Sequence, residues 1–307
     1  MEGLLSEVGK KLTDRWFTLL ALPGALYLAV AVAAVLLGRD RTWDLRYLAA
    51  RAVEYAADER ITTLGGQVVL FAVVIAAGSV VGLCAQALGS AIGHVWTAER
   101  WLWGLLSAPV VACRRRLWLG RRIKVSRAAG LPGGGDAAQP VPAVSREAYQ
   151  RAYGRMARIS PERPLRPTWC ADRLMAVPAR FERDHALKLP AVWPHLWLLL
   201  PEETRTVVAT AREDLRRAHG LVAWGVLYAA LAVVWWPALL LGAAVAAGGW
   251  VRTRRATEAY AVLLEVVTLA HIGRLAEQLK VPYDGFLDMA TGGEISRRLT
   301  GSLPPVG

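Results

Sequence analysis

Three long stretches of the chain contain no Asp, Glu, Lys or Arg: residues 16–37, 68–92 and 220–250. The first has 22 residues. As a helix rising about 1.5 Å per residue it reaches roughly 33 Å, enough to cross a hydrocarbon core of about 30 Å. Lys10, Lys11 and Arg15 precede it, as basic residues precede a signal peptide. The apolar run is too long for a signal core and lacks a clear cleavage site, so a retained span is expected. Pro23-Gly24 should kink its first turns.

The second stretch, 68–92, has Gln86 as its one strongly polar side chain. Gly78, Gly82, Ala85, Gly89 and Gly93 recur every three or four residues and share one helix face. Small residues let helix backbones approach closely in lipid, so this face is the expected packing surface. It serves either the chain's own bundle, the favoured reading, or a second copy.

The third stretch has 31 residues, and one straight helix of about 46 Å is too long for a single crossing. Trp235-Trp236-Pro237 stands in its middle. Tryptophan favours the membrane interface, and proline begins helices better than it continues them. We read a hairpin, with 218–236 crossing one way and 237–250 returning. One span followed by an interfacial segment is the competing reading.

Charge then sets the orientation. Of 37 Lys+Arg and 25 Asp+Glu, residues 93–218 hold 22 basic and 11 acidic groups, while 38–65 hold five of each. Basic loops stay on the cytoplasmic side. Arg114, Arg115, Arg116, Arg121, Arg122 and Lys124 therefore belong inside, together with Arg216-Arg217, Arg252, Arg254 and Arg255. Four spans satisfy all of them, leaving both termini cytoplasmic and 38–65 as an external loop. The expected fold is all-α and polytopic, in the plasma membrane. Cys84, Cys113 and Cys170 are too few and too dispersed for a disulfide scaffold.

The remaining segments follow from local signals. Residues 93–127 interleave Trp96, Trp101, Trp103 and Trp118 with arginines, the pattern of an interfacial helix. Its six basic groups, Arg114 to Lys124, are the candidate sites for anionic lipid headgroups, and aromatics beside a span fit that surface better than nucleic acid. Residues 128–144, rich in Gly and Pro, read as a linker. A small helical cytoplasmic unit is expected over 145–217. It would hold a helix capped by Ser145 and bearing Tyr149, Tyr153 and Met156, then breaks at Pro161, Pro164 and Pro167. Helices over 168–183 and 201–217 follow, with a core of Trp193, Trp197, Leu198 and Leu200. After the hairpin, 257–279 is an amphipathic helix with Tyr260, Leu263, Leu264, Val267, His271 and Leu275 on one face. The end, with Gly292-Gly293, reads as a frayed tail.

Pro167-Thr168-Trp169, Asp172-Arg173 and the run from Trp193-Pro194-His195-Leu196 to Leu199-Leu200-Pro201 form a pattern. It resembles an uncharacterised bacterial multi-pass membrane protein family with a Pro-Thr start, a Trp-Pro-x-Leu segment and a Leu-Leu-Pro before a membrane hairpin. The resemblance covers residues 160–280 and implies membrane placement without an activity. His195 stands where the family carries an arginine.

No catalytic chemistry is expected. His94, His185, His195, His219 and His271 show no metal spacing among themselves or with cysteine. There is no G-x-S-x-G, no phosphate loop and no GxGxxG before a helix. Gly133-Gly134-Gly135 lies in the linker. The expectation is therefore a non-enzymatic membrane protein without catalytic, metal or cofactor residues. It would act as a scaffold whose basic helical region meets anionic lipid and a protein partner or second copy, with no nucleic acid expected. An oligomeric pore or small-solute channel subunit is the alternative, weakened by spans that lack ionisable groups.

Overall fold

The computed structural model describes residues 22–39, 42–57, 63–97, 101–129 and 146–301. Every regular element among them is helical. The chain divides into two compact units, one of Met1–Gly93 with Arg216–Arg252, the other of His94–Leu215 with Thr253–Gly307. Among the described residues, two helices are long and apolar enough to cross a membrane, Leu64–His94 and Pro237–Gln278.

The first unit begins with α1, Leu22–Leu37. Pro23 lies in its first turn, where a missing N–H leaves no helical bond unmade. Residues 16–21 of the expected span lie outside the described part, and the visible helix has 16 residues. The expected external loop contains a helix, α2 (Leu45–Ala56), capped by the Asp44 carboxylate accepting from the Tyr47 amide at 2.9 Å.

Next comes α3 (Leu64–Thr97), whose small face lies against other helices of the same unit. Gly78, Gly82, Ala85 and Gly89 are buried. A Cβ on Gly24 of α1 would fall on the Gly78 carbonyl oxygen, and one on Gly89 would lie 3.0 Å from Gly220 Cα. Gly93 faces the His219 ring.

Two further helices form the hairpin, α8 (Glu202–Ala230) and α9 (Pro237–Gln278), with a 3-10 turn at Leu231–Val233 between them. The intervening α4 to α7 belong to the second unit. A Cβ on Gly225 would sit 2.6 Å from the Ala246 nitrogen, and one on Gly242 would sit 2.5 Å from the Ala229 nitrogen. The backbones of the two arms are therefore in direct contact. The turn is tied down by polar groups. Arg39 Nη2 donates to the Val233 carbonyl at 2.9 Å, and Trp235 Nε1 donates to the Thr42 carbonyl at 3.0 Å. Trp43 meets Trp236 edge-on at 6.1 Å. Neither arm ends where hydropathy placed it. The apolar stretch and the amphipathic stretch after it form one 42-residue helix, because no Gly or Pro cap interrupts 251–257.

The second unit contains α4 (Trp101–Ala128), α5 (Arg146–Ala157), α6 (Trp169–His185), α7 (Leu189–Leu199), the outer parts of α8 and α9, and α10 (Met289–Thr300). Ser145 and linker residues 130–144 lie outside the described part. The Thr168 hydroxyl caps α6 by accepting from the Ala171 amide at 3.2 Å. The core gathers Val177, Phe181, Leu187, Val192, Leu196, Ile272 and Ile295. Trp193 and Trp197 only flank it, and Leu198, expected inside, is 75% exposed. The α7 register accounts for this: Leu189, Val192 and Leu196 form the inward stripe at i, i+3 and i+7, and Leu198 falls on the opposite side. Met156 of α5 is buried, but Tyr149 and Tyr153 stack on each other outside.

The expected frayed tail is instead the ordered helix α10. Asp288 caps it by accepting from the Thr291 amide at 2.7 Å, and Ile295 is fully buried. The two glycines are contact residues here: a Cβ on Gly292 would fall on the His185 carbonyl. Ser296 Oγ accepts from the Lys188 amide at 2.9 Å, fixing α10 to the α6–α7 turn, and its own proton is within reach of the Gly292 carbonyl at 2.8 Å and the Ala186 carbonyl at 3.2 Å.

Two alanine substitutions separate close packing from simple helix propensity. Gly120 in α4 has open space around its Cα, so Gly120→Ala should stabilise by about 0.5–1 kcal/mol. Gly292→Ala should cost about 2 kcal/mol through overpacking. Chemical denaturation of the detergent-purified chain measures both, and a gain from Gly292→Ala would refute the α10 docking.

Candidate functional site

The arginine run expected to meet headgroups lies on α4, and α4 shows two faces. Arg114, Trp118 and Arg121 recur at i, i+4 and i+7 and turn toward the proline-broken bend at 158–168. Proline cannot donate a backbone hydrogen bond, and the bend forms no ladder of its own, so its carbonyls need side-chain donors. Arg114 Nη2 donates to the Ile159 carbonyl at 2.5 Å, and Nη1 donates to that of Arg166. Trp118 Nε1 donates to the Ser160 carbonyl at 3.2 Å. Arg121 Nη1 donates to the Arg155 carbonyl at 2.5 Å. Other helices add two donors: Trp169 Nε1 to Ala157 at 2.9 Å and Arg254 Nη2 to Arg158 at 3.1 Å. The Arg254 guanidinium also lies 4.4 Å from the Trp169 ring centroid, a cation–π contact.

Asp172 completes the bend from the other side. Its Oδ1 accepts from the Leu165 and Arg166 amides at 3.1 and 3.0 Å, and its Oδ2 pairs with Arg114 at 2.9 Å. The Asp172 side chain is 5% exposed. Burial pushes its carboxyl above the usual range, against the Arg114 charge and the two amides that pull it down. A carboxyl raised in the fold holds its proton more tightly there than in the unfolded chain. Its contribution to stability therefore grows as pH falls through that range.

A second cluster joins α6 to α9. Arg173 forks onto Glu258 at 2.9 and 3.0 Å and reaches Glu265 at 3.0 Å, with Arg180 beside Glu265 at 3.4 Å. The fixed guanidinium fork suits this bidentate contact. In the sequence, Asp172-Arg173 stands out only as part of the resemblance. The signal that was available is two arginines at i, i+7 on one helix facing two glutamates at i, i+7 on another.

The six candidate headgroup residues therefore divide. Arg114 is committed to the bend and to Asp172, so its guanidinium is unavailable to a headgroup. Arg121 is half-buried and uses one N–H on Arg155. Arg115 is half-buried, while Arg116, Arg122 and Lys124 are exposed, Arg122 lying 5.3 Å from the Trp118 ring centroid. The side chains of Trp96, Trp101 and Trp103 lie outside the described part. The packing set is in the other unit: Gly78 meets Gly24 of α1, Gly89 and Gly93 meet Gly220 and His219 of the hairpin, and Gly82 and Ala85 are buried between them in sequence. Among the described residues no group of three His, Cys, Asp or Glu could hold a metal ion. The cysteines are free, Cys84 and Cys113 exposed and Cys170 buried. Burial pushes the Cys170 thiol up, away from reactivity.

Asp172→Ala strips the acceptor from two buried amides and the partner from Arg114. It should cost about 3 kcal/mol by denaturant titration. Asp172→Asn keeps an Oδ1 acceptor for the two amides while removing the charge, and should cost less than about 1.5 kcal/mol. Equal losses from the two would refute this account of the bend. No family model, no curated protein and no solved structure matches the chain.

Proposed function

We propose that the chain is an integral membrane protein with four crossings: residues 16–37, the α3 span and the two arms of the hairpin. In this reading it is a plasma-membrane scaffold whose basic helical unit meets anionic headgroups and a protein partner on the cytoplasmic side. Both termini are cytoplasmic and no enzymatic step is involved.

The observation that carries the membrane half is the outer surface of α3. Only 17% of its apolar stretch is buried, and Val68, Val69, Phe71, Val73, Val80 and Leu83 stand exposed. A continuous apolar face of this length is costly in water and suited to hydrocarbon. The arm that begins at Pro237 adds exposed Leu239, Leu240 and Leu241. The tryptophans and Arg39 at the hairpin turn fit an interfacial belt on the external side. The arginines at 114–116, 216–217 and 252–255 support a cytoplasmic second unit by the positive-inside rule. The pore reading has less support, because the small-residue face of α3 is already covered by α1 and α8.

Carbonate-washed membranes should retain the full chain in the pellet. The cysteines report its threading. Cys113 should react with an impermeant maleimide in inverted vesicles and stay unlabelled in intact cells. Cys84, exposed on α3, should react with a lipid-permeable reagent only. Release of the chain into the wash, or labelling of Cys113 from outside, would overturn the membrane half. A pull-down from native membranes that recovers no stable cytoplasmic protein would overturn the scaffold half.

A further inference from the structure

The second unit contains a cleft of about 360 Å³ between α4 and α5, lined by Arg121, Lys124, Ala148, Arg151, Ala152 and Arg155. Helical spacing explains its composition. Arg121 and Lys124 stand at i, i+3 on α4, Arg151 and Arg155 at i, i+4 on α5, and the alanines at i, i+4 form a low floor between them. Like charges so placed repel one another, and the cleft does little to offset this. The Glu147 carboxylate lies 3.9 Å from Arg151 in a largely exposed pair, and Arg151 Nε donates to the Glu147 carbonyl at 3.2 Å, which leaves its terminal N–H groups for other acceptors. Among the described residues, Arg121, Lys124 and Arg155 pair with no carboxylate. Arg121 is oriented by its bond to the Arg155 carbonyl, which uses one guanidinium N–H and leaves others free.

We propose that this cleft is a binding site for a phosphoryl dianion, the terminal group of a phosphomonoester or diphosphate. It rests on the basic surface proposed above and does not depend on the number of spans. The observations favour this ligand over other anions. One carboxylate offers two oxygens and a single charge, whereas a phosphoryl dianion offers three acceptor oxygens and close to two charges. Arginines line the cleft from both helices, Arg121 on α4 and Arg151 and Arg155 on α5, and can supply several N–H donors to those oxygens, with Lys124 adding a point charge. The volume lies in the range of small-molecule sites, and the cleft is a local recess between two helices, unlike the long track that a nucleic-acid backbone needs. The sequence hid this site, because Arg151 and Arg155 lie beyond the Gly/Pro segment and join Arg121 and Lys124 only in the fold.

The test uses the full-length protein in a nonionic detergent, titrated with inorganic pyrophosphate in one arm and with short-chain phosphatidic acid in the other. Saturable one-to-one binding is expected in at least one arm. Lys124→Glu and Arg155→Glu, each with unchanged helix content, should weaken it about tenfold or more. Arg116→Glu, on the exposed face of α4 outside the cleft, should change it less than about twofold. Binding of pyrophosphate assigns the site to a soluble phosphoryl compound. Binding of phosphatidic acid alone, with the same pattern of variants, assigns it to a lipid phosphomonoester. The proposal is overturned if neither probe saturates, or if Arg116→Glu weakens binding as much as the cleft variants. Either failure leaves the carbonate-wash result for the spans unaffected.

Discussion

The organisation of the second unit depends on one constraint: the backbone of the bend at 158–168 cannot satisfy itself. Three prolines remove donors and block a helix, and a buried carbonyl without a partner is expensive. Six carbonyls in and beside the bend, from Arg155 to Arg166, accept from Arg114, Trp118, Arg121, Trp169 and Arg254. Asp172 accepts two of its amides. These donors come from α4, α6 and α9, so the bend brings together three helices that are far apart in sequence. Much of the excess positive charge in the middle of the chain therefore has a structural task, and only the groups left over are free to act on something else.

The two units are held by different forces. In the first, contacts are made by the smallest side chains. Gly24 meets Gly78, Gly89 meets Gly220, and Gly225 and Gly242 meet the facing arm of the hairpin. Such contacts bring backbones together and maximise van der Waals packing. In the second, branched aliphatic residues fill a core around Val177, Leu196, Ile272 and Ile295, and Arg173 anchors Glu258 and Glu265 at its edge. That is how a chain segment buries apolar area from water. The same helices, α8 and α9, change their packing residues from glycine and alanine to leucine and valine where one unit gives way to the other.

Much of the architecture was legible because it depends on local chemistry. Uncharged runs, the Trp235-Trp236-Pro237 break, the Thr168 cap and the triple proline each act within a few residues of themselves. They imply helices, a hairpin, a helix start and a bend without reference to distant partners. The polarity changes near 93, 218 and 251 lie close to the unit limits at 94, 216 and 253. Distant contacts decide the elements that local chemistry leaves open. Gly292-Gly293 indicates fraying when read locally, yet Gly292 admits the His185 carbonyl, which any Cβ there would meet. Tyr149, Tyr153 and Leu198 are large and apolar enough for a core, but their register points them outward.

By itself the amino-acid sequence determined the helical class, the apolar runs and their basic flanks, because hydropathy and charge are properties of consecutive residues. Only the tertiary structure decided which arginines are free. Arg114 and Arg116 are two residues apart and chemically identical, yet one is held by Asp172 and two carbonyls while the other faces solvent. That Lys124 and Arg155 line one cleft was equally invisible, since their separation in sequence says nothing of their separation in space.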